Sequence, residues 1–332
     1  MNSFGRLFRL SILGESHGPV VGVLVDGCPP GMALQEADFE ADLARRRGGS
    51  APGTTPRREA DLPELRSGVY QGRTTGAPIL ILFANGNVDS SAYDATRRTP
   101  RPGHADFVAL KRSKGFGDLR GGGPFSGRLT AGLVAAGVIA KKLLAPTLVE
   151  ARLLAAGGRE DVEAAVAEAR AAGDSVGGLV ECRVAGLPVG LGEPFFDSVE
   201  SLLSHAAFSI PAVKAIAFGD GWEAARAKGS AFNDAFLDAE GRTATNHAGG
   251  LHGGLTNGNA LRFQVAVKPT PSIAVPQRTV DLPTGEPREL SVQGRHDACV
   301  ALRVPVVLEA LTAAVLVDLL MVRGGMEGAG RD

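Results

Sequence analysis

Three consecutive glycines constrain the fold of this chain more than any other feature of its sequence. Gly121, Gly122 and Gly123 are bracketed by Arg120 and Arg128. Such a run is costly inside a helix or a strand, but it lets the backbone turn tightly and point successive amides at a ligand. Guanidinium groups suit phosphate and carboxylate oxygens. The segment therefore predicts either an anion site or a flexible loop with two solvated arginines, and we favour the anion site.

A long apolar segment directly follows this turn. Residues 129–146 read LTAGLVAAGVIAKKLLAP, which predicts a helix, and Ser126 is placed to cap its N-terminus. A second apolar run, residues 304–322, contains Glu309 and Asp318. Because of these two carboxylates we interpret it as a buried helix and not as a membrane span.

The remaining predicted elements do not alternate regularly between strand and helix. Strands are predicted over residues 5–13, 19–26, 66–70, 78–85, 177–186, 212–221 and 261–268, and helices over 35–47, 159–172 and 197–208. The sequence contains no internal repeat, convincing linker, P-loop or G-x-G-x-x-G motif. Adjacent strands and separated helices predict one α+β domain over residues 1–332 and argue against a Rossmann domain.

Charge and cysteine content narrow the class of protein. The 332 residues carry a formal net charge of −1, and the arginines form local groups without a long basic run. This distribution predicts a small anionic ligand and argues against nucleic-acid and membrane partners. Three widely spaced cysteines and an N-terminal segment without the pattern of a signal peptide predict a cytoplasmic protein without disulfides.

Several candidate reactive side chains lie in glycine-bounded turns. Residues 14–18 match the nucleophile elbow G-x-S-x-G, but a β-branched run follows where that elbow needs a helix, so we reject a hydrolase. The turn then presents His17, a residue whose charge changes near neutral pH. The spacing of His247 and His252 matches no ligand pattern, and no metal site is predicted. Asp297 is either a catalytic carboxylate or a helix cap.

Nine groups of motifs, taken together and in order, resemble the chorismate synthase family. They are GESHG with DGCPPG (14–18, 26–31), RRR (45–47), TTPRRE (54–59), TTGAPI (74–79), RPGHADF (101–107), RGGG (120–123), NHAGGLHGG (246–254), KPTPSI (268–273) and GRHDACV (294–300). The resemblance implies a β-α-β sandwich, an α+β fold with core helices between two antiparallel sheets, assembled as a homotetramer.

The resemblance also implies the reaction. Chorismate synthase eliminates phosphate from 5-enolpyruvylshikimate 3-phosphate in an anti-1,4 sense and gives chorismate. It requires reduced FMN (FMNH2) although substrate and product differ by no net electrons. Some members oxidise NAD(P)H to reduce their own FMN, so NADP is associated with the family. Because no dinucleotide motif is present here, we expect an external flavin reductant.

Site residues carry over from the family motifs one by one. The expected catalytic residues are His17, which would protonate the departing phosphate, His104 at the N1/O2 edge of the flavin, and Asp297 with Ser126 as a proton relay from N5. The expected substrate ligands are Arg46, Arg47, Arg101 and Arg128. The expected flavin contacts are Phe125, Ser126, Pro211, Ala212, Gly253, Lys268, Pro269, Thr270, Pro271, Ser272 and Arg295.

Two other functions compete with this interpretation. One is a flavin reductase that oxidises NAD(P)H, and the absence of a dinucleotide motif counts against it. The other is an anion-binding protein without catalysis. The presence of His17, His104 and Asp297 together counts against that alternative.

Overall fold

The computed structural model describes residues 2–49, 53–55, 60–86, 97–292 and 296–329, the last four by their backbone alone. The strands are β1 (Ser3–Phe4), β2 (Arg9–Gly14), β3 (Val20–Asp26), β4 (Glu64–Leu65), β5 (Val69–Tyr70), β6 (Arg73–Thr74), β7 (Ile79–Ala84), β8 (Leu148–Ala156), β9 (Gly178–Ala185), β10 (Val213–Phe218), β11 (Leu251–His252), β12 (Leu255–Thr256), β13 (Leu261–Val267), β14 (Gln277–Val280) and β15 (Pro287–Leu290).

The helices complete the description of the elements. They are α1 (Glu40–Arg46), α2 (Asp106–Arg112), α3 (Thr130–Leu144), α4 (Val162–Ala171), α5 (Val199–Ala207), α6 (Gly229–Phe232) and α7 (Val304–Ala329). Short 3-10 segments occupy Glu36–Phe39, Arg120–Phe125, Gly127–Leu129, Phe195–Asp197, Gly221–Ala225 and Val300–Arg303.

An antiparallel sheet in the order β1-β2-β3-β7-β4 carries the first part of the core. Alternate residues of β3 and β7 form cross-strand pairs on one face, for example Val23 with Ile81. Both of these side chains are fully buried, as expected where the alternate side chains of neighbouring strands share one face. Helix α3 packs against this sheet and contacts β2, β3 and β7.

A second antiparallel sheet has the order β10-β13-β9-β8. Its central strands pair Val265 with Val180 and Phe263 with Cys182, and all four side chains are fully buried. Helix α7 contacts β8 and β9 of this sheet.

Helices α3 and α7 pack extensively against each other. Every residue of α3 from 130 to 140 is buried, which is the state expected for a helix that is apolar on all sides. A Cβ atom added at Gly137 would lie 2.2 Å from Cβ of Ala310, so the two backbones approach closely there. By length and composition the segment Val300–Gly325 could cross a membrane, yet 83% of its apolar window is buried inside the protein.

The mixture of sheets and helices confirms the predicted α+β class. Helices α1, α3, α4, α5 and α7 and strands β3, β7, β9 and β13 lie within a few residues of their predicted positions. Strand β8 and the β14–β15 hairpin were not predicted. The sequence of β8, LVEARLLAA, is rich in leucine and alanine, which favour helices in isolation; its pairing with β9 decides the structure.

Candidate active site

A cavity of about 420 Å³ opens at the end of the molecule where both α3 and α7 begin. Its lining contains most of the residues expected from the sequence. The lining residues are Arg46, Gly48, Thr55, Arg101, Gly103, His104, Ala105, Gly121, Phe125, Ser126, Gly127, Arg128, Pro211, Ala212, Lys268, Thr270, Pro271, Ser272, His296, Asp297, Val300 and Arg303.

The two helix starts bring positive partial charge to this cavity. Gly127 and Arg128 come just before α3, and Val300 and Arg303 just before α7. The first turn of a helix presents unpaired N–H groups and the positive end of the helix dipole. These dipoles add to the charged side chains of the wall and favour a bound anion.

The triple glycine lies between two histidines. Gly121, Gly122 and Gly123 have φ angles of 60°, 87° and 52°, in the left-handed region that favours glycine. A Cβ atom at Gly121 would lie 2.3 Å from Cδ2 of His17, and one at Gly122 would lie 3.6 Å from Nε2 of His104. The turn therefore lets the backbone pass against both imidazole rings.

His104 is held by Asp106 at the start of α2. Nδ1 of His104 lies 2.6 Å from one oxygen of Asp106. Arg101 donates to the same carboxylate from Nε and from Nη2, each at 2.7 Å. Burial opposes ionisation of Asp106, but the hydrogen bonds from Arg101 and His104 outweigh it and lower the pKa of this carboxyl well below its usual range. The carboxylate of Asp106, itself held by Arg101, thus fixes the orientation of the imidazole of His104.

The guanidinium group of Arg101 donates its hydrogen bonds to acceptors of the protein. Besides the two bonds to Asp106, its Nη1 donates to Oγ of Ser272 at 3.0 Å. Its side chain is buried although the residue lines the cavity. In this structure Arg101 contributes positive charge and holds Asp106 and Ser272 in place.

Arg46 and Arg128 share one carboxylate. Both form ion pairs with Asp61, one to each carboxylate oxygen. Arg128 also donates from Nε to Oδ1 of Asn85 at 2.9 Å, and Arg46 donates from Nη1 to Oγ1 of Thr130 at 3.4 Å. Burial lowers the pKa of Arg46 to about 10 against the raising effect of Asp61; the side chain remains charged at neutral pH.

Asp297 faces the same cavity from the segment before α7. Its Oδ1 accepts from the backbone N–H of Thr55 at 2.8 Å, and its Oδ2 accepts from Arg303 at 2.8 Å. Ser126 caps the turn before α3, where its Oγ accepts from the backbone N–H of Arg128 at 3.3 Å. Both Asp297 and Ser126 line the cavity, each with its own structural partner.

Two further backbone segments contribute to the lining. Pro211 and Ala212 precede β10, and Lys268, Thr270, Pro271 and Ser272 follow β13. The N–H of Lys268 donates to the carbonyl of Ala212 at 2.9 Å. Ala212 has a φ of 75°, which is unusual for a residue with a Cβ atom. Such strained backbone clusters at ligand sites.

Four of the expected site residues lie outside the lining. Arg47 forms a two-point ion pair with Glu40. Gly253 lies in the exposed turn between β11 and β12, and Pro269 adjoins the wall without lining it. His17 is buried behind Gly121 and reaches the site through that contact. Arg295 falls outside the described residues.

Five residues at or beside the cavity are not among the site residues predicted from the sequence, although Asp106 and His296 belong to motifs that supplied predicted residues. Asp61, Asp106, His296, Thr55 and Arg303 all line the cavity or hold a lining residue. Burial lowers the pKa of His296, and the positive charge of Arg101 adds to that effect. Electrostatics could have indicated the aspartates. A buried arginine needs a carboxylate partner, so each predicted arginine implies an aspartate or glutamate close to it in the fold.

Unpaired buried polar atoms at the cavity indicate that it is built for a polar ligand. Within the described ranges, Nε of Arg46, Nε of Arg303 and Oγ1 of Thr270 are buried without a hydrogen-bond partner, and so is Oγ of Ser16 beside Gly121. Native proteins leave few such atoms unsatisfied. The cavity volume lies in the range typical of small-molecule sites. The charges and the volume of the cavity fit a protein of the class that binds small polyanions, with His104 in the lining and His17 behind Gly121.

Comparisons with known proteins give the family. The chorismate synthase family profile matches residues 8–321. A chorismate synthase of Chitinophaga pinensis is 60% identical over 322 residues, 97% of each chain. A chorismate synthase of Dehalococcoides mccartyi is 44% identical over 354 residues, again 97% of each chain. The chain belongs to the chorismate synthase family.

A solved structure agrees on the fold. A crystal structure of chorismate synthase aligns with a TM-score of 0.74 over 96% of this chain and 93% of the other, at 24% identity. The family membership establishes the activity. The enzyme is a lyase that removes phosphate from 5-enolpyruvylshikimate 3-phosphate by anti-1,4-elimination to give chorismate, the last common step toward the aromatic amino acids. The family is known to use reduced flavin.

Proposed function

We propose that the cavity at the start of α3 and α7 is the active site, where 5-enolpyruvylshikimate 3-phosphate binds beside reduced FMN. One observation carries this proposal: Arg46, Arg128, His104 and Asp297 line a single cavity, and His17 lies directly behind its glycine turn. The substrate carries a phosphate and two carboxylates, so a wall of arginines matches its charge.

Arg46 and Arg128 are the proposed direct ligands of the substrate anions. They line the cavity as a pair, and Arg46 stays charged at neutral pH despite the burial that lowers its pKa. Arg101 acts through its charge and through Asp106, because its own donors are bound to protein acceptors. Arg47 is assigned a role outside the cavity, since Glu40 holds both of its terminal nitrogens.

His17 and His104 are the proposed proton-transfer groups. His17 gives a proton to the departing phosphate, and its contact with Gly121 keeps the imidazole at the cavity edge. His104 holds a proton toward the flavin, and Asp106 sets the orientation of its ring. Asp297 accepts a proton, and Ser126 supplies a hydroxyl in the same cavity lining.

The residues present fit a flavin, on the evidence of the unpaired Oγ1 of Thr270 and the strained backbone at Ala212. The proposed contacts are Phe125, Ser126, Pro211, Ala212, Lys268, Thr270, Pro271 and Ser272, which all line the cavity. When bound, reduced FMN supplies reversible electron donation to the allylic C–O bond. The protein binds and orients both ligands and excludes water, which strengthens each electrostatic contact.

Several properties of the family extend to this chain as part of the same proposal. We propose a single domain with the family's β-α-β sandwich, supported by the contacts of α3 with one sheet and α7 with the other. We also propose a cytoplasmic homotetramer that receives reduced flavin from an external reductant, without direct use of NADPH and without nucleic-acid or membrane partners.

The test is an anaerobic assay. The protein is incubated with 5-enolpyruvylshikimate 3-phosphate and dithionite-reduced FMN, and chorismate is followed by its absorbance. We expect chorismate formation that depends on reduced flavin, and no formation when NADPH replaces dithionite. Tight flavin binding without product would favour an anion-binding protein without catalysis, and product formation with NADPH alone would contradict the external reductant.

A further inference from the structure

Asp61 is the most deeply buried carboxylate at the site. Its side chain has no exposed surface, and it adopts a φ of 47° in the left-handed region. Aspartate tolerates this conformation better than most residues, but the conformation still costs free energy. The strained residue is the one whose carboxylate pairs with the guanidinium groups of Arg46 and Arg128.

The three charges are not balanced within the described residues. Burying a charge is unfavourable unless a partner compensates it. Burial by itself would raise the pKa of Asp61, but the two positive charges outweigh it and hold that pKa below its usual value. One carboxylate therefore faces two guanidinium groups, and among the residues that the structure describes no second carboxylate pairs with Arg46 or Arg128.

The other two arginines of the lining each pair with one carboxylate. Arg101 has Asp106, and Arg303 has Asp297. The excess charge among the described residues of the arginine wall is thus located at Arg46 and Arg128. The neutral acceptors near them, Asn85 and Thr130, orient the guanidinium groups without cancelling that charge.

We infer that Asp61 is a positioning residue: its carboxylate fixes Arg46 and Arg128 at the cavity wall before substrate binds and leaves this pair one positive charge in excess for an anionic ligand. The inference deepens the proposed site and rests on it. A preorganised pair of donors needs no rearrangement during the reaction, which is the condition under which electrostatic stabilisation is strongest.

The test compares Asp61→Asn with a matched control. Glu309 is also a buried carboxylate that bridges two cations, Arg45 and Lys141, but it lies outside the cavity. Asp61→Asn and Glu309→Gln therefore each remove one buried carboxylate charge that bridges two cations, and the cations at Glu309 are the more exposed pair. The first measurement is the thermal midpoint of each variant with and without inorganic phosphate, which acts as the anionic probe.

Inorganic phosphate should replace the missing carboxylate in Asp61→Asn. We expect its stabilising shift in Tm to be roughly twice that of the wild type or more, whereas Glu309→Gln shows the wild-type shift. In the anaerobic assay Asp61→Asn should lose about 10-fold or more in kcat with a smaller change in KM. A purely structural role predicts lower Tm, an unchanged phosphate shift and normal kcat for the folded protein, and that pattern overturns the inference.

If Asp61→Asn alone does not fold, the same substitution is tested in a variant that also lacks both arginines. In a variant carrying Arg46→Met and Arg128→Met the carboxylate has lost both partners, so adding Asp61→Asn should raise Tm. A further fall in Tm would refute the inference. A wild-type protein that makes no chorismate would instead refute the proposed function, and unchanged KM in Arg46→Ala and Arg128→Ala would refute the proposed substrate site.

Discussion

The substitution Gly121→Ala provides a sharp test of the site, because this glycine touches the ring of His17. The added Cβ would lie 2.3 Å from Cδ2 and 2.4 Å from Nε2 of that imidazole. Ordinary carbon contacts lie at about 3.5–4.0 Å, so the ring has to retreat by about 1 Å. The φ of 60° adds strain of about 1–2 kcal/mol for a residue with a side chain.

The neighbouring Gly122→Ala is a matched control. Its φ of 87° imposes similar strain, but its Cβ would lie 3.6 Å from the nearest atoms of His104, an ordinary contact. Both variants should therefore lose stability through backbone strain, and Gly121→Ala should lose more because it also displaces the buried ring of His17. Only Gly121→Ala should lose turnover, by about 10²-fold, the effect that a displacement of 1 Å has on a catalytic group.

The assay measures anaerobic chorismate formation and Tm for both variants. Equal turnover in folded Gly121→Ala and Gly122→Ala would contradict the placement of a catalytic imidazole against the turn. Flavin binding, followed by the absorbance spectrum of FMN, serves as a check that the cavity persists in each variant.

Further predictions concern the charged groups of the site. His104→Ala should retain FMN binding but lose about 10²-fold or more in turnover, measured by flavin titration and the anaerobic assay; normal turnover would remove its proposed role. Arg128→Ala should raise the KM for substrate far more than the Kd for FMN, while Arg45→Ala, outside the cavity, changes neither; equal losses for both ligands would contradict the assignment of Arg128. Asp106→Asn should cost about 3–5 kcal/mol at pH 7, because it leaves Arg101 buried without its partner. Since the folded-state pKa of Asp106 is lowered, the stabilisation by its carboxylate is present above about pH 4 and is lost as the pH falls further. The free energies of unfolding in urea of the wild type and Asp106→Asn should therefore converge in acid. A difference that stays constant with pH would contradict this linkage.

The sequence predicts local features of this molecule well. The apolar runs that become α3 and α7 are recognisable because their apolar character extends around the whole helix. The glycine turn is recognisable because consecutive glycines have few other uses. The family resemblance adds the positions of the histidines and arginines around that turn.

The partners of those residues depend on the fold and could not be predicted. Asp61 lies 15 positions from Arg46 and 67 from Arg128, and no local pattern joins them. Strand β8 exists because β9 pairs with it, although its own composition favours a helix. Gly253 and Arg47 occur in family motifs, yet in this chain they lie away from the cavity lining.

The contact between the two long helices has a consequence for the geometry of the cavity. Gly137 and Ala310 touch in the apolar interior, about 10 Å along α3 from its first turn. A larger side chain at either position would wedge the helices apart, and the shift would change the spacing between Arg128 and Arg303, which precede them. A substitution at Gly137 or Ala310 would therefore alter the arginines of the cavity without touching a ligand.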